Sequence, residues 1–264
     1  MKRSWFPFAT MAATLVFFYL PLLVMVVASF NNSRYGGAWK GFTWNYYLQL
    51  LRDREVRICV ENTLWIALFS TLTCMIMGTM AAFALNKYRS RLQFFHNALV
   101  YIPLVVPEIL MGMSLLLFFS AVHMNLGMRT IYIGHVTFCM SYVAMTVMGR
   151  LQDFDFTLID AARDLGCSSW KATSKILLPL LAPGIVAGGL LAFTLSLDDF
   201  VVTFFVSGNE SKTLPLYIYS SIKRGSPTKL NALSSILLAL TFFGAVVSRL
   251  ISNRVDKIFK SANQ

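Results

Sequence analysis

Six stretches of the chain are apolar and nearly free of charge over about the 20 residues that a helix needs to cross the hydrocarbon core of a bilayer. They run from Phe8 to Phe30, Thr63 to Leu85, Ala98 to Ala121, Ile131 to Met148, Pro183 to Val206 and Ala232 to Ile251. Each is predicted to be helical, because a segment in lipid must satisfy its own backbone hydrogen bonds and none shows the alternation of a barrel strand. The expected architecture is an all-α integral membrane protein, one domain over residues 1–264 with six transmembrane helices. A polar loop, 150–182, separates the fourth span from the fifth.

Composition agrees: 56% of the 264 residues are hydrophobic, 13% are charged, and the mean hydropathy is +0.62, too apolar for a water-soluble domain. The first run follows Lys2 and Arg3, as a secretory signal would, but its 23 residues exceed the usual apolar region of a signal and include Pro21. It is therefore expected to be an uncleaved span. Six spans place both termini on one side. Basic residues decide which: with the termini cytoplasmic, thirteen of the 23 lie inside, including the compact cluster Lys87, Arg89, Arg91 and the terminal cluster Arg254, Lys257, Lys260. The net charge of +11 is then spread over two membrane faces, which suits anionic lipid headgroups and argues against nucleic acid. Cys59, Cys74, Cys139 and Cys167 form no close pair in sequence and have no metal-ligand spacing. They read as packing residues, as do the isolated His96, His123 and His135, and no metal or other cofactor is expected.

Within the long loop, Leu158, Ala162 and Leu165 recur at helical spacing, with charged Asp160, Arg163 and Asp164 on the other faces. Gly166 is placed to end this short helix, and Ser168 or Ser169 to cap a second one that runs through Lys175 and stops near Pro179 and Pro183. The predicted product is a helix-turn-helix elbow on the cytoplasmic face.

This stretch resembles the signature loop of the binding-protein-dependent ABC importer permeases: Glu-Ala-Ala, three residues, Gly, nine residues, Ile, one residue, Leu-Pro. Asp160-Ala161-Ala162, Gly166, Ile176 and Leu178-Pro179 match at every spacing, with Asp in place of Glu at the first position. The resemblance implies a type I ABC importer permease fold, with the elbow as the coupling helix between helices 4 and 5. In that role Asp160, Ala161, Ala162 and Gly166 would face the ATP-binding subunit. It also implies the partners: two copies of that subunit, a homologous second permease and an extracytoplasmic solute-binding protein. The chain contains no Gly-rich phosphate loop followed by Lys and Ser or Thr, so no catalytic site is expected in it. The segment 196–205, Ser-Leu-Asp-Asp-Phe-Val-Val-Thr-Phe-Phe, is similar to the spermidine/putrescine branch of the family, which implies a polyamine substrate.

The acids give a reading of their own. Of twelve carboxylates, only Glu108, Asp198 and Asp199 fall within predicted spans. An ionisable group there costs about 3 kcal/mol to insert, so it normally faces a wet cavity or a partner, and no Lys or Arg shares these spans at comparable depth. Glu108 follows Pro103 and Pro107, about 15 Å into the third span, and the aspartates lie about 22 Å into the fifth. Neighbouring helical residues point about 100° apart, so one aspartate is expected to line a path while the other packs or pairs. Carboxylates at staggered depths suit an extended polycation, and all three are candidate substrate-binding residues. A permease for another small solute such as ferric ion, and an ATP-independent transporter, remain the alternatives.

Overall fold

The computed structural model describes residues 5–33, 36–87, 91–225 and 227–243. Lys2, Arg3, Arg89, the terminal basic cluster and the end of the sixth predicted span beyond Phe243 lie outside the described residues. The helices are α1 (Phe6–Ala28), α2 (Asn45–Arg52), α3 (Arg54–Lys87), α4 (Gln93–Val105), α5 (Glu108–Ala121), α6 (Met128–Gln152), α7 (Thr157–Asp164), α8 (Ser169–Ala172), α9 (Leu178–Asp198), α10 (Val201–Val206), α11 (Leu214–Lys223) and α12 (Pro227–Phe243). A π-helical turn, Thr173–Leu177, joins α8 to α9. Among the described residues, four helices are long and apolar enough to cross a membrane, or five if the bent pair α4 and α5 counts as one span. The chain divides into two compact units, Met1–Arg54 with Ile218–Gln264, and Glu55–Tyr217.

In the first unit, none of the most apolar window of α1 is buried within the chain. The segment after it folds back on itself, with Asn32 donating its N–H to the Gly41 carbonyl at 2.9 Å and Thr43 to that of Phe30 at 2.8 Å. The Phe30 ring stacks on Phe42 and Tyr47, with centroids 5.3 and 5.1 Å away. Asp53 pairs with Lys229, and the Thr228 hydroxyl donates to the Ser33 carbonyl, tying this segment to the start of α12.

In the second unit the core is built around α6, against which α4, α5, α9 and α10 pack. Val143, Ala144 and Val147 on α6 are fully buried. Two glycines let neighbouring backbones approach Val143. A Cβ on Gly78 of α3 would lie 2.9 Å from its Cβ, and one on Gly188 of α9 would lie 3.2 Å from its Cα. Cys74 and Cys139, distant in sequence, meet here, and each thiol donates its hydrogen to a carbonyl, Cys74 to Val136 and Cys139 to Ala192. They are the close pair that the sequence spacing hid.

Three predicted elements differ from what the structure shows. The third span is two helices, α4 and α5, bent by 111°. Pro107 causes this: it forces Val106 into an extended conformation (φ −68°, ψ 130°), and its own nitrogen has no hydrogen to continue the ladder. The helix after the elbow does not stop near Pro179 but continues through the π turn into α9, forming one apolar helix over Ser169–Asp198. Widening the helix just ahead of Pro179 gives the ring room and accommodates its missing N–H. Finally, the fifth span ends early, because the chain breaks at Asp199 and Phe200 before α10 starts.

The packing at Gly78 sets up a comparison between two chemically equal changes. Gly78→Ala places its methyl 3.0 Å from the Ala144 nitrogen and the Met140 carbonyl oxygen, whereas Gly149→Ala meets nothing within 4 Å. In detergent, Gly78→Ala is expected to cost about 1–3 kcal/mol of unfolding free energy. Gly149→Ala is expected to be neutral or to add up to about 1 kcal/mol. Equal thermal unfolding of the two variants would contradict the close approach of α3 to α6.

Candidate functional site

The three carboxylates predicted within spans all sit at helix breaks. Glu108 is the first residue of α5, exposed, just past the Pro107 break, where the N-terminal dipole of α5 favours its negative charge. Asp198 is the last residue of α9 and is exposed, whereas its neighbour Asp199 is only 8% exposed. The structure thus separates the two aspartates: Asp198 is open to its surroundings, and Asp199 packs inward. α5 and α10 pack against each other, with Gly112 facing the Phe205 ring.

Asp199 makes the break it stands at. One carboxylate oxygen accepts the Val202 N–H at 3.3 Å, and the other accepts the Thr203 N–H at 2.8 Å and the Thr203 hydroxyl at 2.7 Å. These are the donors left open at the start of a helix, so the side chain caps α10 and competes with continuation of α9. Its partner from outside this segment is His135 of α6, whose Nε2 lies 3.2 Å from the second oxygen. His135 is 1% exposed, and its Nδ1 lies 2.6 Å from the Ser196 hydroxyl, which in turn lies 3.2 Å from that of Ser70 on α3.

The partner of Asp199 thus comes from another span and is neither Lys nor Arg: His135 is a packing residue with a specific polar role. Ser196, Asp199 and Thr203 recur at intervals of three and four, a polar stripe along an otherwise apolar stretch. That stripe was the signal that could have identified the network.

The elbow is a second candidate site. Asp155 accepts the Thr157 N–H at 3.0 Å at the entrance to α7, and its fully solvated carboxyl is held below the usual carboxylate range by the Thr157 hydroxyl and N–H. α7 ends in two backbone bonds, Gly166 N–H to the Arg163 carbonyl at 2.9 Å and Cys167 N–H to that of Ala162 at 3.0 Å. This termination needs a left-handed residue, which Gly166 supplies at φ +83°. Ser168, rather than Ser169, caps α8 by accepting the Lys171 N–H. The apolar face is not packed as its spacing implied. Leu165 is 90% exposed and Trp170 78%, while Ile159 is the residue turned to the core. Asp160, Arg163, Gly166 and Cys167 help line an open groove of about 610 Å³.

Burial separates the acids energetically. Asp199→Ala leaves His135, Thr203 and the first N–H groups of α10 without their acceptor and is expected to cost about 3–5 kcal/mol of stability. Glu108→Ala and Asp198→Ala, at exposed positions, are expected to cost within about 0.5 kcal/mol. Thermal unfolding of the three purified variants checks this ranking; a stable Asp199→Ala protein would contradict the capping role.

Residues 74–258 match the family described as binding-protein-dependent transport system inner membrane component. Over 254 residues the chain is 39% identical to the spermidine/putrescine transport system permease protein PotC of Haemophilus influenzae, covering 96% of this chain and 99% of that one. It is 38% identical over 248 residues to the putrescine transport system permease protein PotI of Escherichia coli, covering 91% and 88% of the two chains. Among solved structures, a chain of a bacterial ABC transporter involved in importing the acidic polysaccharide alginate is similar with a TM-score of 0.72 at 15% identity, over 94% of this chain and 96% of that one. A chain of the MetNI methionine ABC transporter is similar with a TM-score of 0.63 at 19% identity, over 80% and 97%. These two likenesses concern the fold alone. With the family match spanning more than half of its length, the chain belongs to the inner membrane components of binding-protein-dependent transport systems.

Proposed function

We propose that the chain is one membrane subunit of an ATP-driven importer that carries spermidine and putrescine across the bacterial inner membrane. The observation that carries this reading is the 39% identity with a spermidine/putrescine permease over 96% of this chain and 99% of that relative. The placement of the acids supports it. A linear polyamine carries ammonium groups separated by methylene spacers, so its passage calls for separated anionic contacts. Glu108 and Asp198 supply two, both exposed and both beside helix ends whose backbone carbonyls lack intrahelical partners. Asp199, the third candidate, serves the same path from behind, through the geometry of the break.

ATP hydrolysis belongs to a separate subunit, present in two copies and docked at the elbow. Asp160, Ala161 and Gly166 are exposed there and Ala162 is half-buried, and small side chains allow a partner to approach closely. The exposed Leu165 and Trp170 give that contact an apolar component. A homologous second permease and an extracytoplasmic solute-binding protein complete the assembly. The elbow and both termini lie on the cytoplasmic side.

Two experiments test this reading. Glu108→Gln and Asp198→Asn keep size and hydrogen bonding while deleting charge. Each is expected to raise the apparent KM for spermidine uptake by about tenfold to a hundredfold, the equivalent of about 1–3 kcal/mol for an ammonium–carboxylate contact in a partly wet site. Wild-type KM values in both, at normal expression, would remove these acids from the path. The second experiment uses Cys167, which is half-buried in the elbow groove while Cys59, Cys74 and Cys139 are buried. An impermeant maleimide should label Cys167 only in inverted vesicles stripped of the ATP-binding subunit, and rebinding that subunit should protect it. Labelling in right-side-out vesicles would reverse the orientation, and labelling unaffected by the subunit would move the docking site elsewhere.

A further inference from the structure

His135 spans the break between α9 and α10. One ring nitrogen reaches Ser196, in the last turn of α9, and the other reaches Asp199 and Thr203, at 3.2 and 2.9 Å, where α10 begins. Chemistry sets the direction of the bond to the carboxylate: Asp199 only accepts, so Nε2 carries the hydrogen that faces it, while Nδ1 lies 2.6 Å from the Ser196 hydroxyl. The Ser196 hydroxyl in turn lies 3.2 Å from that of Ser70. This buried chain of polar groups joins α3, α6, α9 and α10.

The arrangement decides which aspartate is available. In an uninterrupted helix, Asp198 and Asp199 would be equivalent neighbours with side chains about 100° apart. Here Asp199 has extended backbone (φ −61°, ψ 122°), and its carboxylate is drawn inward. Without the His135 ring, only donors from α10 itself hold that carboxylate, and the side-chain bridge from α6 to both sides of the break is lost, while the packing of α9 and α10 on α6 remains.

We propose that His135 is a positioning residue for the transport path: by clamping Asp199 and Ser196 across the break, it keeps Asp198 alone turned outward, where the passing cation meets it. This rests on the reading of Asp198 as a cation contact, and it adds that the contact depends on a ring in a different helix.

The test uses the complete importer in proteoliposomes with two polar replacements of similar burial. His135→Gln places an amide N–H where Nε2 stood and keeps the bond to Asp199; His135→Asn keeps an amide near Ser196 and loses Asp199. The expected result is a KM for spermidine within about twofold of wild type for His135→Gln and raised about fivefold or more for His135→Asn, with maximal rate changed less than KM in both. In an Asp198→Asn background, His135→Asn should add no further rise, because it acts through Asp198. Equal effects of Gln and Asn, or an undiminished effect of His135→Asn in the Asp198→Asn background, would overturn the proposal. A second readout does not depend on the polyamine. The thiol introduced by Asp198→Cys should react with a water-soluble maleimide about fivefold faster beside His135 than beside His135→Asn. An unchanged rate sinks the positioning role even if Asp198 binds the cation. A changed rate, with no effect of Asp198→Asn on KM, keeps the positioning role and sinks only the assignment of Asp198.

Discussion

A backbone N–H or carbonyl surrounded by hydrocarbon has no water to turn to, so each interruption of an apolar helix has to carry its own hydrogen-bond partners. The two breaks in the second unit meet this demand in different ways. At Pro107 the missing donor is covalent: the imide nitrogen has no hydrogen to lose, and the following helix begins with an acid suited to its dipole. At Asp199 the donors of α10 remain, and a side chain is brought in to receive them. That carboxylate must itself be satisfied, which brings in Thr203 and His135, then Ser196 and Ser70. One unsatisfied helix start thus explains a polar network that reaches four helices, and the network in turn leaves Asp198 exposed.

The elbow was legible in the sequence because its determinants are local. Gly166 and Ser168 each act on backbone groups within five residues, and the structure shows the stop and the cap where the residue types placed them. The apolar character of α1, α3, α6 and α9 was legible for a similar reason, since lipid selects on composition and composition is summed along the chain. Helix ends were less legible. α3 runs from Arg54 to Lys87, well past the apolar stretch that announced it, because helical hydrogen bonding does not require an apolar side chain.

The breaks were only half legible. Pro107 signalled a disturbance, but a bend of 111° depends on what the two halves pack against as well as on the ring. The second break has no proline or glycine at all. It depends on a histidine 64 positions before Asp199, and the meaning of Asp199 changes once that ring stands beside it. The Cys74–Cys139 contact is hidden in the same way, since proximity between α3 and α6 is set by Gly78, and sequence spacing does not contain it.

The π turn at Thr173–Leu177 has a mechanical consequence. Because it carries the helix past Pro179 without ending it, the elbow's second helix and α9 form a single rod of 30 residues, Ser169–Asp198. At about 1.5 Å per residue that rod is about 45 Å long, more than the thickness of the hydrocarbon core. One end abuts the left-handed Gly166 turn and the other ends at Asp198. An axial or tilting displacement applied at the elbow meets no loop in which to dissipate before it reaches the break. The one wide turn along the way is the place where such a rod yields in torsion while keeping its length.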